Sequence, residues 1–205
     1  MERYFHHHSD EKINVTMNTP NKLTILRVLL VPIFLIFLMI EQISYHYIYA
    51  LVFFIAASLT DLLDGYLARK NNQVTTFGKF LDPLADKVLV LAAMICFIEL
   101  GLASAIAVII IVAREFMVTS IRLVASTTGG KVIAASMIGK VKTVIQMVAI
   151  IATLLMLSFN QFVSITQYIN ISLFSNVLMW IAAAITVISG AEYLIQNKSA
   201  INTTK

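Results

Sequence analysis

Charged residues are scarce in this chain of 205 residues: Asp, Glu, Lys and Arg make up 13% of it, 59% is hydrophobic, and the mean hydropathy is +0.86. Soluble domains carry about 25% charged residues, so this composition excludes an ordinary soluble domain. The single cysteine, Cys96, excludes an intramolecular disulfide. The N-terminal region lacks the apolar core of a cleavable signal peptide. Apolar stretches instead recur along the whole chain and predict a polytopic membrane protein.

Six apolar stretches are long enough to cross a bilayer, which takes about 20 residues in a helix. They predict an all-α membrane protein with six transmembrane helices and a short interfacial N-terminal segment around Pro20 and Asn21. The predicted spans are residues 23–40, 43–60, 78–98, 102–123, 141–159 and 172–195. All six belong to one predicted membrane domain, which lies between two polar tails. The membrane domain covers residues 17–197. The N-terminal tail or tag remnant is residues 1–16, and the C-terminal tail is residues 198–205.

Lys and Arg are missing from three of the predicted connections, those near residues 41–46, 99–102 and 160–171. All fifteen Lys and Arg residues lie in the N-terminal region, in or beside the second-to-third and fourth-to-fifth connections, or in the C-terminal tail. Cytoplasmic loops of membrane proteins are enriched in these residues, so the basic face is predicted to be cytoplasmic. An even number of spans places both termini on that same side.

The few charges concentrate in the segment DLLDGYLARKNNQVTTFGKFLDPLADK, residues 61–87, which holds four Asp, one Arg and three Lys. Asp61 and Asp64 are three residues apart and Asp82 and Asp86 are four apart, so each pair shares one helix face. Antiparallel packing of the two helices would bring the four carboxylates together. A divalent cation relieves their mutual repulsion, and oxygen ligands favour Mg²⁺ or Mn²⁺. Two such ions about 4 Å apart suit in-line phosphoryl displacement.

A second interpretation of this segment stays open at this point, in which the Asp residues pair with Lys70, Lys79 and Lys87 as an interfacial salt-bridge ring. Such a ring explains the charge balance but neither the spacing nor the glycines. Gly65 inside a helical pattern costs about 1 kcal/mol relative to Ala, and either close approach of a ligand or plain helix packing explains it. Because charges at membrane depth are costly, a functional site is favoured.

Eight positions of the segment form a complete pattern. They are Asp61, Asp64, Gly65, Ala68, Arg69, Gly78, Asp82 and Asp86. At this spacing the pattern resembles the signature of the CDP-alcohol phosphotransferases. The resemblance implies a six-helix integral membrane enzyme, often homodimeric, that transfers a phosphatidyl or similar group from a CDP-linked donor to an alcohol and releases CMP.

The resemblance also implies roles for individual residues. Two divalent ions, Mg²⁺ or Mn²⁺, would be bound by Asp61, Asp64, Asp82 and Asp86, and Asp86 would be the general base for the acceptor hydroxyl. The CDP site would contain Asp64, Gly65, Ala68, Arg69 and Gly78. By the same resemblance, three residues of the first helix would contact the donor, namely Asn21, Thr24 and Arg27. Helix capping explains Asn21 and Thr24 equally well.

The signature leaves the acceptor open, and the basic residues of the fourth and fifth spans bear on it. Arg114 lies inside an otherwise apolar span, and Arg122 lies eight residues on, about 80° around an ideal helix, so both line one broad face. With Lys140 and Lys142 they suit an acceptor that carries its own phosphate. Ordinary cytoplasmic charge explains Lys142 equally well. Glu115 receives no role beyond pairing with a neighbouring cation.

Three stretches outside the signature, PNKLTILRVLLVP, AREFMVTSIR and GKVKT, are similar to bacterial phosphatidylglycerophosphate synthases. Together with the signature, this similarity spans roughly residues 19–195. It implies CDP-diacylglycerol as donor, glycerol 3-phosphate as acceptor, and an active site at the cytoplasmic side of the bacterial cytoplasmic membrane.

Two alternatives remain open beside that similarity. A sister enzyme of the family would take a cardiolipin-type or inositol-type acceptor. A divalent-cation transporter would need acidic residues near mid-bilayer on several helices, whereas Glu192 is the main acid inside a span away from the cluster. Membrane lipids and a second copy of the chain are the expected partners, and no nucleic acid is expected.

Overall fold

The computed structural model describes residues 19–71, 76–127, 137–163 and 165–197, with side chains described at 25–60, 87–122, 137–163 and 166–197. Over these residues the protein contains helices and no strand, which confirms the all-α class. The six α-helices are α1 (Thr19–Met39), α2 (His46–Asn71), α3 (Thr76–Glu99), α4 (Ala105–Thr127), α5 (Met137–Asn160) and α6 (Ile171–Gln196), with a 3₁₀ turn at Ile165–Gln167 before α6.

Each helix coincides with one predicted apolar stretch, but the helices on either side of the charged segment extend beyond it. α2 continues to Asn71 and α3 begins at Thr76, so the signature positions lie on helical backbone. Leu, Ala, Arg and Lys are good helix formers, which explains why the helix does not end where the apolar stretch ends. Pro20 and Asn21 belong to the first turn of α1, so a separate interfacial segment would have to precede residue 19, outside the described residues.

Two of the helices, α5 and α6, are long and apolar enough to cross a membrane by length and composition. Shorter apolar segments lie in α1 and α2, at Ile25–Met39 and His46–Thr60. The outer surface of the helices is apolar as well, with exposed side chains such as Leu29, Val52 and Ile109. A large apolar exterior is typical of a protein surrounded by lipid rather than water.

The core lies where the inner faces of the helices meet. Phe34 of α1 and Phe54 of α2 are fully buried, and their ring centroids are 5.5 Å apart. Small residues such as Ala57 of α2 and Ala182 of α6 are also fully buried, and small side chains allow helices to approach closely. This core connects all six helices.

Hydrogen bonds between buried side chains set the register of α5 against α6. Gln146 Nε2 donates to Thr186 Oγ1 at 3.2 Å, and Thr153 Oγ1 donates to Ser175 Oγ at 3.0 Å. Gln146 lies one helical turn after Lys142. The register therefore determines which residues of α6 lie beside the basic residues of α4 and α5.

Candidate active site

A cavity of about 630 Å³ lies among the helices, a volume typical of small-ligand sites. All six α-helices contribute to its lining, for example through Arg27, Ser58, Lys87, Arg114, Lys142 and Ser189. The cavity wall reaches the charged segment on two helices. Leu59 lines the cavity two residues before Asp61, and Lys87 lines it directly after Asp86.

The lining of this cavity is strongly basic. The cations among its described residues are Arg27, Lys87, Arg114, Arg122 and Lys142, and the one carboxylate is Glu115. Arg27 is 1% exposed and Lys142 is 5% exposed. Five cations against one carboxylate give this lining a net positive charge, which suits an anionic ligand.

Glu115 is the meeting point of three of these cations. Its Oε1 accepts from Lys142 Nζ and from Arg114 Nη1, the latter at 3.2 Å, and its Oε2 lies 3.6 Å from Lys87 Nζ. Glu115 is 8% exposed, and its three partners come from α3, α4 and α5. One carboxylate thus connects three helices at the wall of the cavity.

Lys87 is held at a second point on α4. Its Nζ donates to Thr119 Oγ1 and, at 3.3 Å, to the backbone carbonyl of Glu115. Thr119 Oγ1 itself donates to the same carbonyl at 2.7 Å, as residues four apart do within one helix. These contacts connect Lys87, the first residue of α3 with a described side chain, to α4. Lys87 directly follows Asp86 in the chain.

Residues of α6 hold the side chain of Arg114 in place. Arg114 Nη2 donates to Ser189 Oγ at 2.7 Å. The neighbouring Gly190 leaves room for the arginine stem, because a Cβ at that position would lie 3.0 Å from Arg114 Cγ and 3.5 Å from its Nε. Glycine at this position of α6 therefore allows close packing of the Arg114 side chain.

Arg122 contacts α6 one turn further along. Its guanidinium carbon lies 6.0 Å from the centre of the Tyr193 ring, within the range of a cation–π interaction. Tyr193 is buried, and both residues line the cavity. α6 thus supplies one contact for each arginine of α4.

The model of the family described as CDP-alcohol phosphatidyltransferase matches residues 17–188. The chain belongs to this family. Curated relatives include the "CDP-diacylglycerol--glycerol-3-phosphate 3-phosphatidyltransferase" of Bacillus subtilis, 44% identical over 197 residues that cover 91% of this chain and 98% of the relative. The proteins of the same name from Haemophilus influenzae and Rickettsia felis are 40% and 35% identical, covering 90% and 88% of this chain and 95% and 96% of their own length.

In this CDP-alcohol phosphatidyltransferase, three of the four residues expected at the acceptor phosphate line the cavity: Arg114, Arg122 and Lys142. The fourth, Lys140, is exposed and is not among the lining residues. Two residues apart on a helix means about 200° around its axis, so Lys140 and Lys142 lie on nearly opposite faces. Arg27, expected in the donor site, lines the same cavity.

The other predicted site residues have side chains outside the described part of the structure. They are Asn21, Thr24, Asp61, Asp64, Gly65, Ala68, Arg69, Gly78, Asp82 and Asp86. Their backbone belongs to α1, α2 and α3. Among the side chains that are described, no group of three or more His, Cys, Asp or Glu residues is placed to hold a metal ion. The metal site at the four Asp residues therefore stays a prediction.

Sequence reasoning gave no role in the site to Glu115, Ser189, Gly190 or Tyr193. Two of them carry a signal. Glu115 is an acidic residue inside an apolar stretch, where a charge indicates function. Gly190 interrupts a helical pattern in which glycine is unfavourable. Ser189 and Tyr193 carry none, because both are common in membrane helices.

Proposed function

We propose that the protein transfers the phosphatidyl group of CDP-diacylglycerol to glycerol 3-phosphate and forms phosphatidylglycerophosphate and CMP. The observation that carries this proposal is the basic cavity, which borders the helix segments that hold the signature carboxylates. The name of these relatives, which align with about nine-tenths of the chain, describes this same transfer. The cavity supplies the physical reason: the acceptor brings a phosphate that needs cationic partners.

In the proposed reaction, the terminal hydroxyl oxygen of glycerol 3-phosphate attacks the phosphatidyl phosphorus. The bond from that phosphorus to the oxygen of CMP breaks, and the hydroxyl proton passes to Asp86 as general base. Asp86 directly precedes Lys87, which lines the cavity, so the base lies on the helix that also borders the acceptor pocket. The phosphate of the acceptor does not react and serves to position the hydroxyl.

The donor would be held by the signature residues. The carboxylates of Asp61, Asp64, Asp82 and Asp86 would provide an all-oxygen donor set, which suits the divalent ions on which this family generally relies, Mg²⁺ or Mn²⁺. When bound, such ions stabilise charge on the transferring phosphoryl group and on CMP. The remaining residues of the proposed CDP site are Gly65, Ala68, Arg69 and Gly78, with Asn21, Thr24 and Arg27 from α1.

The acceptor phosphate would lie among Arg114, Arg122 and Lys142, with Lys87 beside them. The guanidinium groups offer paired donors to phosphate oxygens, and Lys142 supplies a compact charge. Lys140 stays outside this proposed pocket because it does not line the cavity. A neutral polyol acceptor such as inositol would bring no charge to complement the net positive charge of this lining.

The location of the protein is the remaining part of the proposal. Six spans, both termini and the active site at the cytoplasmic side of a bacterial membrane, and a homodimer would agree with the basic connections and with the family. Among the cavity residues, Lys142 lies in the second turn of α5, close to one of these basic connections.

The deciding experiment is CMP release by the purified protein in detergent with CDP-diacylglycerol and Mg²⁺ or Mn²⁺. The acceptors to compare are glycerol 3-phosphate, phosphatidylglycerol, myo-inositol, inositol phosphate and serine, each also with a chelator present. Release with glycerol 3-phosphate that the chelator abolishes supports the proposal. Release with another acceptor would replace the acceptor but keep the transfer, and metal binding without any release would favour a cation transporter.

A further inference from the structure

Glu115 poses a physical question, because a carboxylate in a phosphate pocket weakens the binding of phosphate. It is the one acidic side chain among the described residues that line the cavity. It contacts three of the cations there, Lys87, Arg114 and Lys142. A carboxylate in this place lowers the positive potential that attracts the acceptor, so it needs a function that offsets this loss.

The three cations differ in how firmly Glu115 holds them. Lys142 is buried with an Nζ contact to Glu115, whereas the side chain of Lys87 is 31% exposed and its Nζ lies 3.6 Å from Oε2. Arg114 shares Nη1 with Glu115 and Nη2 with Ser189, and its buried Nε has no hydrogen-bond acceptor among the described residues. The buried Nε of Arg114 is therefore a donor available to a ligand, beside Arg114 Nη1 and Lys142 Nζ, which already donate to the Glu115 carboxylate.

The chemistry of the proposed reaction makes product release the difficult step for such a pocket. This argument rests on the proposed function, since the phosphate monoester of glycerol 3-phosphate does not react and stays on the product. Any contact that tightens the binding of the acceptor phosphate tightens the binding of the product phosphate equally. Such uniform binding does not accelerate the chemical step and slows release.

We propose that Glu115 is a built-in competitor for the acceptor phosphate. In the empty cavity its carboxylate occupies the donors of Lys142 and Arg114 and keeps the cations together without a ligand. A bound phosphate takes over part of these donors, and after transfer the carboxylate takes them back as the product leaves. Glu115 is thus a positioning residue that limits phosphate affinity and makes turnover possible.

The variant that tests this is Glu115→Gln, which keeps the shape of the side chain and removes its charge. We expect the inhibition constant of inorganic phosphate and the KM for glycerol 3-phosphate to fall about tenfold, as expected when one close charge interaction is removed. The kcat should fall by a similar factor, with a burst of CMP in the first turnover, while kcat/KM for CDP-diacylglycerol stays unchanged. The matched control is Glu99→Gln, which removes a carboxylate at the opposite end of α3 and should behave as the wild type.

A second variant guards against loss of folding, since Glu115→Gln leaves Lys142 buried without its counter-ion. Glu115→Asp keeps the charge but withdraws it by one methylene from Lys142, so phosphate affinity should lie between those of the wild type and of Glu115→Gln. Phosphate binding is also read without turnover, from the increase in thermal stability that phosphate produces. Unchanged or weaker phosphate binding in both variants would overturn the proposal and leave Glu115 a structural counter-ion.

The two levels of proposal fail separately. If the wild type releases no CMP with any acceptor, the proposed function is wrong, whatever phosphate binding shows. If glycerol 3-phosphate supports release but the Glu115 variants bind phosphate no more tightly, only the competitor role is wrong.

Discussion

At the scale of single residues, the site is a set of cations whose positions are determined by their neighbours. Arg114 is held between Glu115 and Ser189, at 3.2 Å and 2.7 Å, and Gly190 leaves the space that its stem occupies. Lys142 is buried at the same carboxylate. Buried charges of this kind are costly to leave unpaired, so each contact contributes to the geometry of the pocket.

The first residue-scale prediction concerns Asp86, the proposed general base. Asp86→Asn should reduce the rate of CMP release by about 10²- to 10⁴-fold, which is the usual contribution of general acid–base catalysis. The reduction should be larger if the substitution also prevents metal binding. The variant should keep the thermal stability of the wild type. Activity close to that of the wild type would exclude Asp86 as the base.

The second residue-scale prediction concerns Gly190. In Gly190→Ala the new Cβ would meet Arg114 Cγ at 3.0 Å, so the arginine side chain must move by a few tenths of an ångström, which disturbs its contacts with Ser189 and Glu115. We expect the KM for glycerol 3-phosphate to rise about tenfold, as for loss of one charge-assisted contact, and the KM for CDP-diacylglycerol to stay unchanged. Ala191→Val adds volume at the adjacent exposed position and is the control. An equal effect of both variants would refute a specific role for the glycine.

At the scale of elements, α6 is the helix that organises the arginines of α4. Ser189, Gly190 and Tyr193 fall within about one turn of α6, and each contacts Arg114 or Arg122. The register of α6 is set in turn by its hydrogen bonds to α5, such as that from Gln146 to Thr186. The packing of α5 on α6 therefore determines where the arginine contacts of α6 lie relative to Lys142 of α5.

This register predicts the effect of Thr186→Val. The substitution keeps the shape of the side chain but leaves the buried Gln146 Nε2 without its acceptor. We expect a loss of about 1 kcal/mol in stability, the usual size for hydrogen bonds between membrane helices, seen as a lower midpoint of thermal unfolding in detergent. Thr143→Val is the matched control, because Thr143 is exposed and bonds to Gly139 within its own helix at 3.2 Å. Equal midpoints for the two variants would argue against the register bond.

At the scale of the whole molecule, apolar side chains cover the outside, and all the described Lys and Arg side chains except Lys140 line one cavity. Exposed residues such as Leu29, Val144 and Ile188 come from different helices. A water-soluble nucleotide and a lipid tail have to meet in the proposed reaction, and a basic cavity among helices with an apolar exterior gives each part of the donor a suitable environment.

The proposed topology yields a prediction for intact cells. In a Cys96→Ala background, a cysteine introduced at Thr166, in the connection before α6, should react with a membrane-impermeant maleimide because that connection is predicted to lie outside the cytoplasm. A cysteine introduced at Lys205 should react only after the membrane is permeabilised. The reverse pattern, or labelling of both positions in intact cells, would contradict six spans with cytoplasmic termini.

The sequence by itself determined the helices and the family. Apolar length is a local property, so the six helices follow from it, and the signature spacing from Asp61 to Asp86 is complete within one short segment. The basic residues of α4 were also found this way, since a charge inside an apolar stretch is visible without a structure. Helix periodicity alone separates Lys140 from Lys142, but it does not say which of the two faces meets the cavity.

Only the tertiary structure decided how these residues combine. Glu115 meets Lys87, which lies 28 residues before it, and Lys142, which lies 27 residues after it, and Arg114 meets Ser189 across 75 residues. Local sequence patterns indicate where helices form and which residues share a helix face. Contacts between distant residues depend instead on how the helices pack and in which register. The contacts of Glu115, Gly190 and Tyr193 with the basic residues are therefore visible only in the packed helices.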